Sequence, residues 1–300
     1  MSETLVSLWT NVRKRLEAAG VETPVLDARL LLEAGAGVSR LEIVTDPRRA
    51  VTAAQVDAVD KLAKRREARE PVSHIIGRKH FWTLDLAVNA DVLTPRPETE
   101  FVVEAGLKAL LPADAPHRIL DLGAGSGAII LALLKDRPNA TGVAVDISEA
   151  ALAVARANAD QLAVFDRLDI RQSDWAKHLD ADRFDLVVSN PPYIPTSEID
   201  TLAPEVSRFE PRVALDGGPD GLTAYRIIVA SLPRLLKPGG AFALEVGLGQ
   251  AEAVRAMAEA IGLIPAEPWR DLQGIPRVVV GNAASSSGLE KGLGSVPGKH

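Results

Sequence analysis

Apolar residues recur at helical spacing through the first eighty positions. Leu5, Leu8, Val12 and Leu16 fall at i, i+3, i+7 and i+11, one stripe of an amphipathic helix that ends near Gly20. Thr23-Pro24 supplies a cap and a first-turn proline for a second helix over VLDARLLLEAG. Thr52 and Gln55 fit a capping box ahead of VDAVDKLAKRREARE, and a further short turn starts at Pro71. Arg65, Arg66 and Arg69 cluster on that last long helix. Such a run is ordinarily a solvated face, with partner docking as the sharper alternative.

The period then changes. FWTLDLAVNADVL (81–93) alternates apolar and polar positions and carries turn residues at Asn89-Ala90, which predicts an extended segment or hairpin joining two domains. The prolines of TPRPETE (94–100) exclude continuous helix until about Glu98. From 118 onward strands alternate with helices. The strands are RILDL (118–122), TGVAVD (141–146), LDIRQ (168–172), FDLVVSN (184–190), AFALEVG (241–247) and RVVVGN (277–282). The helices are 127–136, 148–162, 222–236 and 249–261. This alternation predicts an α/β fold, a mostly parallel sheet with helices on both faces. Residues 284–300, ASSSGLEKGLGSVPGKH, have no period and read as a disordered tail.

Composition narrows the chemistry. At 300 residues, 47% apolar and 25% charged, the chain is an ordinary globular sequence of one or two domains. The absence of cysteine excludes disulfides, thiolate nucleophiles and Cys-ligated metals. The five histidines show no metal-ligand spacing. The net charge of -6 counts weakly against a general nucleic-acid binder. That charge is uneven: residues 1–90 carry +2 and the remainder -8, which places any electrostatic docking on the N-terminal part. Arg13, Lys14 and Arg15 interrupt the run a signal peptide would need, and no stretch approaches the ~18 apolar residues of a membrane span. A soluble cytoplasmic protein is expected.

DLGAGSGA (121–128) follows a strand and opens a helix. Gly123, Gly125 and Gly127 let backbone approach a ligand, and Asp146 ends the next strand, where a carboxylate can accept from ribose hydroxyls. The loop alone fits a nicotinamide or flavin enzyme as well as an S-adenosylmethionine enzyme, and a structural turn is a third reading. SNPPYIP (189–195) adds a second feature at the carboxyl edge of the sheet. Its two prolines fix the backbone and remove N–H donors, leaving carbonyls and the Asn190 side-chain oxygen as acceptors, with Tyr193 as a flat face. Such a clamp suits a planar –NH2 group.

NPPY after the fourth strand, with a glycine loop after the first, resembles the S-adenosylmethionine-dependent N-methyltransferases of the class I fold. With PRPETE (95–100), SDW (173–175), FDLVVSNPPYI (184–194) and EPRVALDGGPDGLTAYR (210–226), the chain over about residues 5–282 is similar to the bacterial protein-(glutamine-N5) methyltransferases of peptide-chain release factors. The resemblance implies a Rossmann-like, mostly parallel seven-stranded sheet with a small N-terminal helical domain joined by a β-hairpin linker. The expected divisions are a substrate-recognition domain at 1–80, a linker at 81–95, a methyltransferase domain at 96–283 and a tail at 284–300.

The resemblance also implies residue roles. Gly123, Ala124, Gly125, Ser126 and Gly127 would hold the methionine part of S-adenosylmethionine, Asp146 the ribose, and Trp175 would lie against the adenine. Asn190, Pro191, Pro192 and Tyr193 would bind the substrate glutamine. Asn190, Pro191 and Tyr193 would carry catalysis, and Asn190 would also stand near the cofactor. No metal is expected. Ala124 stands where the family often has Thr, and Thr94 precedes PRPETE where Ile or Val is common. The implied reaction moves a methyl group to N5 of the glutamine in the GGQ motif of release factors, in a protein expected to be monomeric and to need neither nucleic acid nor membrane. A nucleic-acid base N-methyltransferase, acting on adenine N6 or guanine N2, is the alternative. Arg96, Glu98 and Glu100 line the cofactor pocket or form a salt-bridged helix start. Glu245 and Asp216 lie near strand ends, and Glu245 reads as structural more than catalytic, while Trp9, Trp82 and Trp269 read as core or interdomain packing.

Overall fold

A computed structural model describes residues 3–179 and 182–285. They form two compact units.

Of the described residues, the first unit holds 3–79, 88–90 and 201–210. Its helices are α1 (Leu5–Ala18), α2 (Pro24–Ala36), α3 (Arg40–Thr45), α4 (Ala53–Glu67) and α5 (Val72–Ile76). Leu5, Leu8, Val12 and Leu16 are buried, as their spacing requires, against Leu31 and Leu32 of α2 and Val59 and Ala63 of α4. Capping boxes start α1 at Thr4/Ser7, α3 at Ser39/Glu42 and α4 at Thr52/Gln55. Thr23 departs from expectation. It precedes α2, but its hydroxyl donates to Asp27 Oδ1 at 3.0 Å instead of capping the helix.

That exchange has a cause. Asp27 is 1% exposed and receives Arg66 Nε at 2.7 Å. Arg66, 5% exposed, also reaches Glu205 Oε1 at 2.9 Å, and Arg69 grips both Glu205 oxygens at 2.6 and 2.7 Å. Glu205 lies on the single turn α9 (Pro204–Ser207), part of the 201–210 segment that joins this unit. Arg66 and Arg69 are therefore not a solvated face. They hold a distant stretch of chain through charge-assisted hydrogen bonds.

Of the described residues, the second unit holds 80–87, 91–179, 182–200 and 211–285. The chain reaches it through a hairpin of β1 (Arg78–Phe81) and β2 (Leu84–Ala87). The hairpin turn sits at Trp82-Thr83, and the turn expected at Asn89-Ala90 follows β2 as a separate turn at Ala90-Asp91. Trp82 adopts φ 56°, and two bonds hold it: its backbone N–H to Glu100 Oε1 and its indole N–H to Asp136 Oδ2, both 2.9 Å. After a 3-10 turn at Pro97–Thr99 come α6 (Glu100–Ala109), β3 (Arg118–Leu122), α7 (Ala128–Asp136), β4 (Thr141–Asp146), α8 (Glu149–Gln161), β5 (Leu168–Gln172) and β6 (Phe184–Ser189). Beyond α9, the chain continues with α10 (Thr223–Leu235), β7 (Leu236–Glu245), α11 (Ala251–Ala260), the two-residue β8 (Ile264–Pro265) and β9 (Trp269–Arg270), and β10 (Pro276–Asn282).

The sheet runs β5-β4-β3-β6-β7-β10-β8, with β9 pairing on β10. β5 to β7 are mutually parallel, and β10 returns antiparallel to β7. Ile119 of β3 faces one apolar layer, with α6 and α7, while Leu120 and Leu122 face the other, with α10 and α11. Both faces are covered, which is why the strands read as continuous apolar runs. Strand order reverses between β3 and β6, so the carboxyl ends of β3, β4 and β6 converge on one crevice. The expected tail falls mostly on residues 286–300, outside the described residues.

Candidate methyl-transfer site

A cavity of about 290 Å³, at the lower edge of the usual scale of small-molecule sites, opens at that crevice, entirely inside the second unit. Gly123, Ala124, Gly125, Ser126, Asp146, Trp175, Asn190 and Pro192 line it. Gly127, Pro191 and Tyr193 stand off its wall.

The glycine loop turns through left-handed backbone at Gly123, Gly125 and Gly127. At Gly125 a Cβ would meet open space, so what glycine provides there is its φ of 55°. The Asp146 carboxylate accepts the N–H of Gly125 through Oδ2 and of Ser148 through Oδ1, each at 2.9 Å. This bonding aims the carboxylate along the loop and leaves lone pairs for neutral donors such as a ribose diol. Trp175 adopts φ 53° beside Gly123, where an added Cβ would stand 3.5 Å from the indole. Asn158 was missed in the sequence. Its amide ties Ser126 O at 2.9 Å to the β2 backbone, bonding both ways with Ala87. An asparagine within a helical stretch carries no mark of such a role.

Asp121, at the end of β3, is a second residue the sequence did not single out. Its carboxylate is 1% exposed, and neither oxygen has a hydrogen-bond partner. Burial pushes its pKa up to about 7, against the pull of the nearby Ile130 N–H, and the Asp146 charge adds to the rise. A buried carboxylate without a partner is complementary to a cation. Asp121 precedes the loop without lining the cavity; the loop, the anchored Asp146 and a wall that includes Ile129, Ile147 and Trp175 fit S-adenosylmethionine, which carries an ammonium, a ribose and an adenine.

The NPPY segment is braced from behind. Ile194 N–H donates to Leu215 O at 3.0 Å, Gly217 N–H to Ile194 O at 2.9 Å, and Thr196 Oγ1 to Asp216 Oδ1 at 2.6 Å. That last bond, with the Gly218 N–H, holds the Asp216 pKa low, so it is a charged group on the cavity wall. Gln250 Nε2 donates to Tyr193 O at 2.9 Å. A Cβ on Gly221 would lie 2.4 Å from the same carbonyl, so only glycine permits this approach. EPRVALDGGPDGL is thus the partner strip of the clamp loop.

Tyr193 turns its hydroxyl inward to Glu245 Oε1, at 3.4 Å. Burial, then the Glu245 charge, raises its pKa, so it stays neutral. Glu245 is 2% exposed, and burial pushes its pKa up to about 7 despite a hydrogen bond from Thr99. Asn190 Nδ2 donates to Thr99 Oγ1 at 3.0 Å. Of PRPETE, therefore, Pro95 and Thr99 reach the cavity wall, while Glu100 caps the hairpin at Trp82.

Among the described residues no acidic or histidine cluster could hold a metal, and no helix is long and apolar enough to cross a membrane. A glycine loop and an Asn-Pro-Pro turn on one cavity, at the switch point of this sheet, define a methyltransferase of the class I type. The fold is similar to a solved methyltransferase from Pyrococcus furiosus (TM-score 0.51, 16% identity, covering 69% of this chain and 92% of that one). Residues 7–77 match the model of the PrmC N-terminal domain, and residues 103–205 that of the methyltransferase small domain. The release factor glutamine methyltransferase of Caulobacter vibrioides is 53% identical over 281 residues, 94% of this chain and 97% of that protein. Its namesake from Rhodospirillum rubrum is 48% identical over 92% of this chain and 84% of its own length. The chain belongs to the release factor glutamine methyltransferase family.

Proposed function

We propose that this chain methylates the side-chain amide nitrogen of the glutamine in the GGQ motif of release factors, using S-adenosylmethionine. One observation carries the reading: Asn190 and Pro192 share a single cavity with the glycine loop and Asp146. Asp146 and the loop would hold the ribose and the methionine part, Trp175 would lie on the adenine, and Asp121, just ahead of the loop, would offset the ammonium charge without touching it. When bound, the cofactor supplies an electrophilic methyl group on its sulfonium.

The chain's own work is positioning. An amide nitrogen is a poor nucleophile because its lone pair is delocalised into the carbonyl. Asn190 Oδ1 and the Pro191 carbonyl would each accept one N–H of the substrate amide. Both bonds strengthen as that nitrogen gains positive charge, so they favour the transition state over the ground state. Fixing the approach of the two reactants can supply ~7–11 kcal/mol in favourable cases. The methylated, protonated amide is acidic and releases its proton without a strong base, in keeping with a clamp made of acceptors. Pro192 would wall the site, and Tyr193, held by Glu245 and Gln250, would fix the loop that carries the clamp.

The helical first unit would be the module that meets the protein substrate. It carries the basic excess of the chain, and it takes up residues 201–210, which continue from the clamp loop. The enzyme would act as a cytoplasmic monomer without nucleic acid. Mass spectrometry of a GGQ-containing release-factor fragment, after incubation with enzyme and cofactor, tests the reading. A gain of one methylene on the glutamine supports it. An unmodified fragment alongside methylated RNA would favour the base N-methyltransferase.

A further inference from the structure

An asparagine amide serves as an acceptor toward substrate only if its oxygen, not its NH2, faces that way. The two orientations have nearly the same shape, so packing alone discriminates weakly between them. The surrounding hydrogen bonds must decide.

Here they do. Asn190 Nδ2 lies 3.0 Å from Thr99 Oγ1. The Thr99 hydroxyl has one proton, and the Glu245 carboxylate is the acceptor at hand for it. Toward Asn190 the hydroxyl can then only accept. Above its pKa of about 7 Glu245 is a carboxylate and an acceptor alone, and Tyr193 Oη donates to it as well, at 3.4 Å. Thr99 is 3% exposed and Glu245 2%, so water has little access to scramble the chain. Both lie where the topology brings them together. The register pairs Ser189 of β6 with Leu244 of β7, which sets Glu245 beside the residue that follows Ser189.

We propose that Glu245 and Thr99 are positioning residues that set the direction of the Asn190 amide, so that its oxygen branch is presented to the substrate NH2. This rests on the reading of Asn190 as a clamp for the glutamine amide, and it adds a specificity consequence. A glutamine side chain offers an NH2, whereas a glutamate side chain offers only acceptors. An Asn190 locked with Oδ1 toward the site rejects glutamate, and an Asn190 free to turn tolerates it.

The test compares wild type with Thr99→Val, Thr99→Ser and Glu245→Gln. Three quantities are measured: kcat and KM on a GGQ release-factor fragment, inhibition by the same fragment carrying GGE, and affinity for S-adenosylhomocysteine. Thr99→Val is expected to lower kcat about 10- to 100-fold, the usual worth of one to two hydrogen bonds. It should also narrow the preference for GGQ over GGE by about 10-fold. Cofactor affinity should hold within a few-fold. Thr99→Ser, which keeps the hydroxyl, should restore both rate and discrimination. Glu245→Gln presents either an oxygen or an NH2 to Thr99, so it should erode discrimination even if Thr99→Val does not fold. The proposal is overturned if the variants lose rate with the GGQ/GGE preference unchanged, or if Thr99→Ser is as impaired as Thr99→Val. Failure of the clamp reading itself shows separately: Asn190→Ala would then keep wild-type rate and discrimination.

Discussion

Asp121→Asn should stabilise the free protein and flatten its pH dependence. In the fold the Asp121 carboxyl titrates near 7 instead of at its ordinary 3.8, because burial leaves its charge without a partner. Between about pH 4 and about pH 7 the native state therefore holds a proton that the unfolded state has released. Stability falls as pH rises through that window and levels off above it. Three units at about 1.4 kcal/mol each give a cost of roughly 4 kcal/mol near pH 8. Asparagine keeps the shape and removes the charge, so the variant is expected to avoid most of that cost. It retains only the price of a buried neutral amide, about 1–3 kcal/mol, which the protonated acid shares. Thermal and urea unfolding of the full chain, from about pH 5 to about pH 8.5, reads this directly. Asp121→Asn should melt several degrees above wild type near pH 8, with the gap closing toward pH 5. Glu245, raised to about 7 by burial, adds a similar slope, so the variant should lose about half of the pH dependence and not all of it. Parallel loss of stability in wild type and variant as pH rises, or a variant no more stable near pH 8, would refute the account of Asp121.

Three further outcomes are expected. Asn190→Ala should lower turnover on the GGQ fragment by about 100-fold or more while S-adenosylhomocysteine affinity, read by calorimetry, changes little. Asp146→Ala should act the other way round, weakening that affinity by about 10- to 100-fold, since it removes both the anchor of Gly125 and the acceptor for the ribose. Glu205→Gln should destabilise the first unit by about 1–3 kcal/mol in urea unfolding, because Arg66 and Arg69 lose a charged partner in a poorly solvated site. An effect below a few tenths of a kcal/mol would mean that this ion cluster is solvated after all.

Much of this protein is settled by local pattern. The stripe Leu5–Leu8–Val12–Leu16, the capping box at Thr52 and the continuous apolar runs of β3, β4 and β6 each follow from a short-range rule, and each leads to the element seen. The glycine loop, Asp146 and Asn190 were equally legible, because left-handed turns and strand ends next to a switch point demand particular residue types. What the sequence could not decide depends on partners distant along the chain. Arg66 reads as one more exposed cation until Asp27 and Glu205 close around it. The hairpin turn falls at Trp82 because Glu100 and Asp136 are there to bond it, not because a turn dipeptide marks the spot. Thr99 and Glu245 look like an ordinary helix-start threonine and an ordinary strand-end acid. Only the pairing of β6 with β7 sets Glu245 beside the residue after Ser189, and with it the direction in which Asn190 points. Periodicity and turn chemistry are local and survive in one dimension. The sign of a hydrogen bond and the burial of a charge are properties of neighbours, and the tertiary structure supplies those.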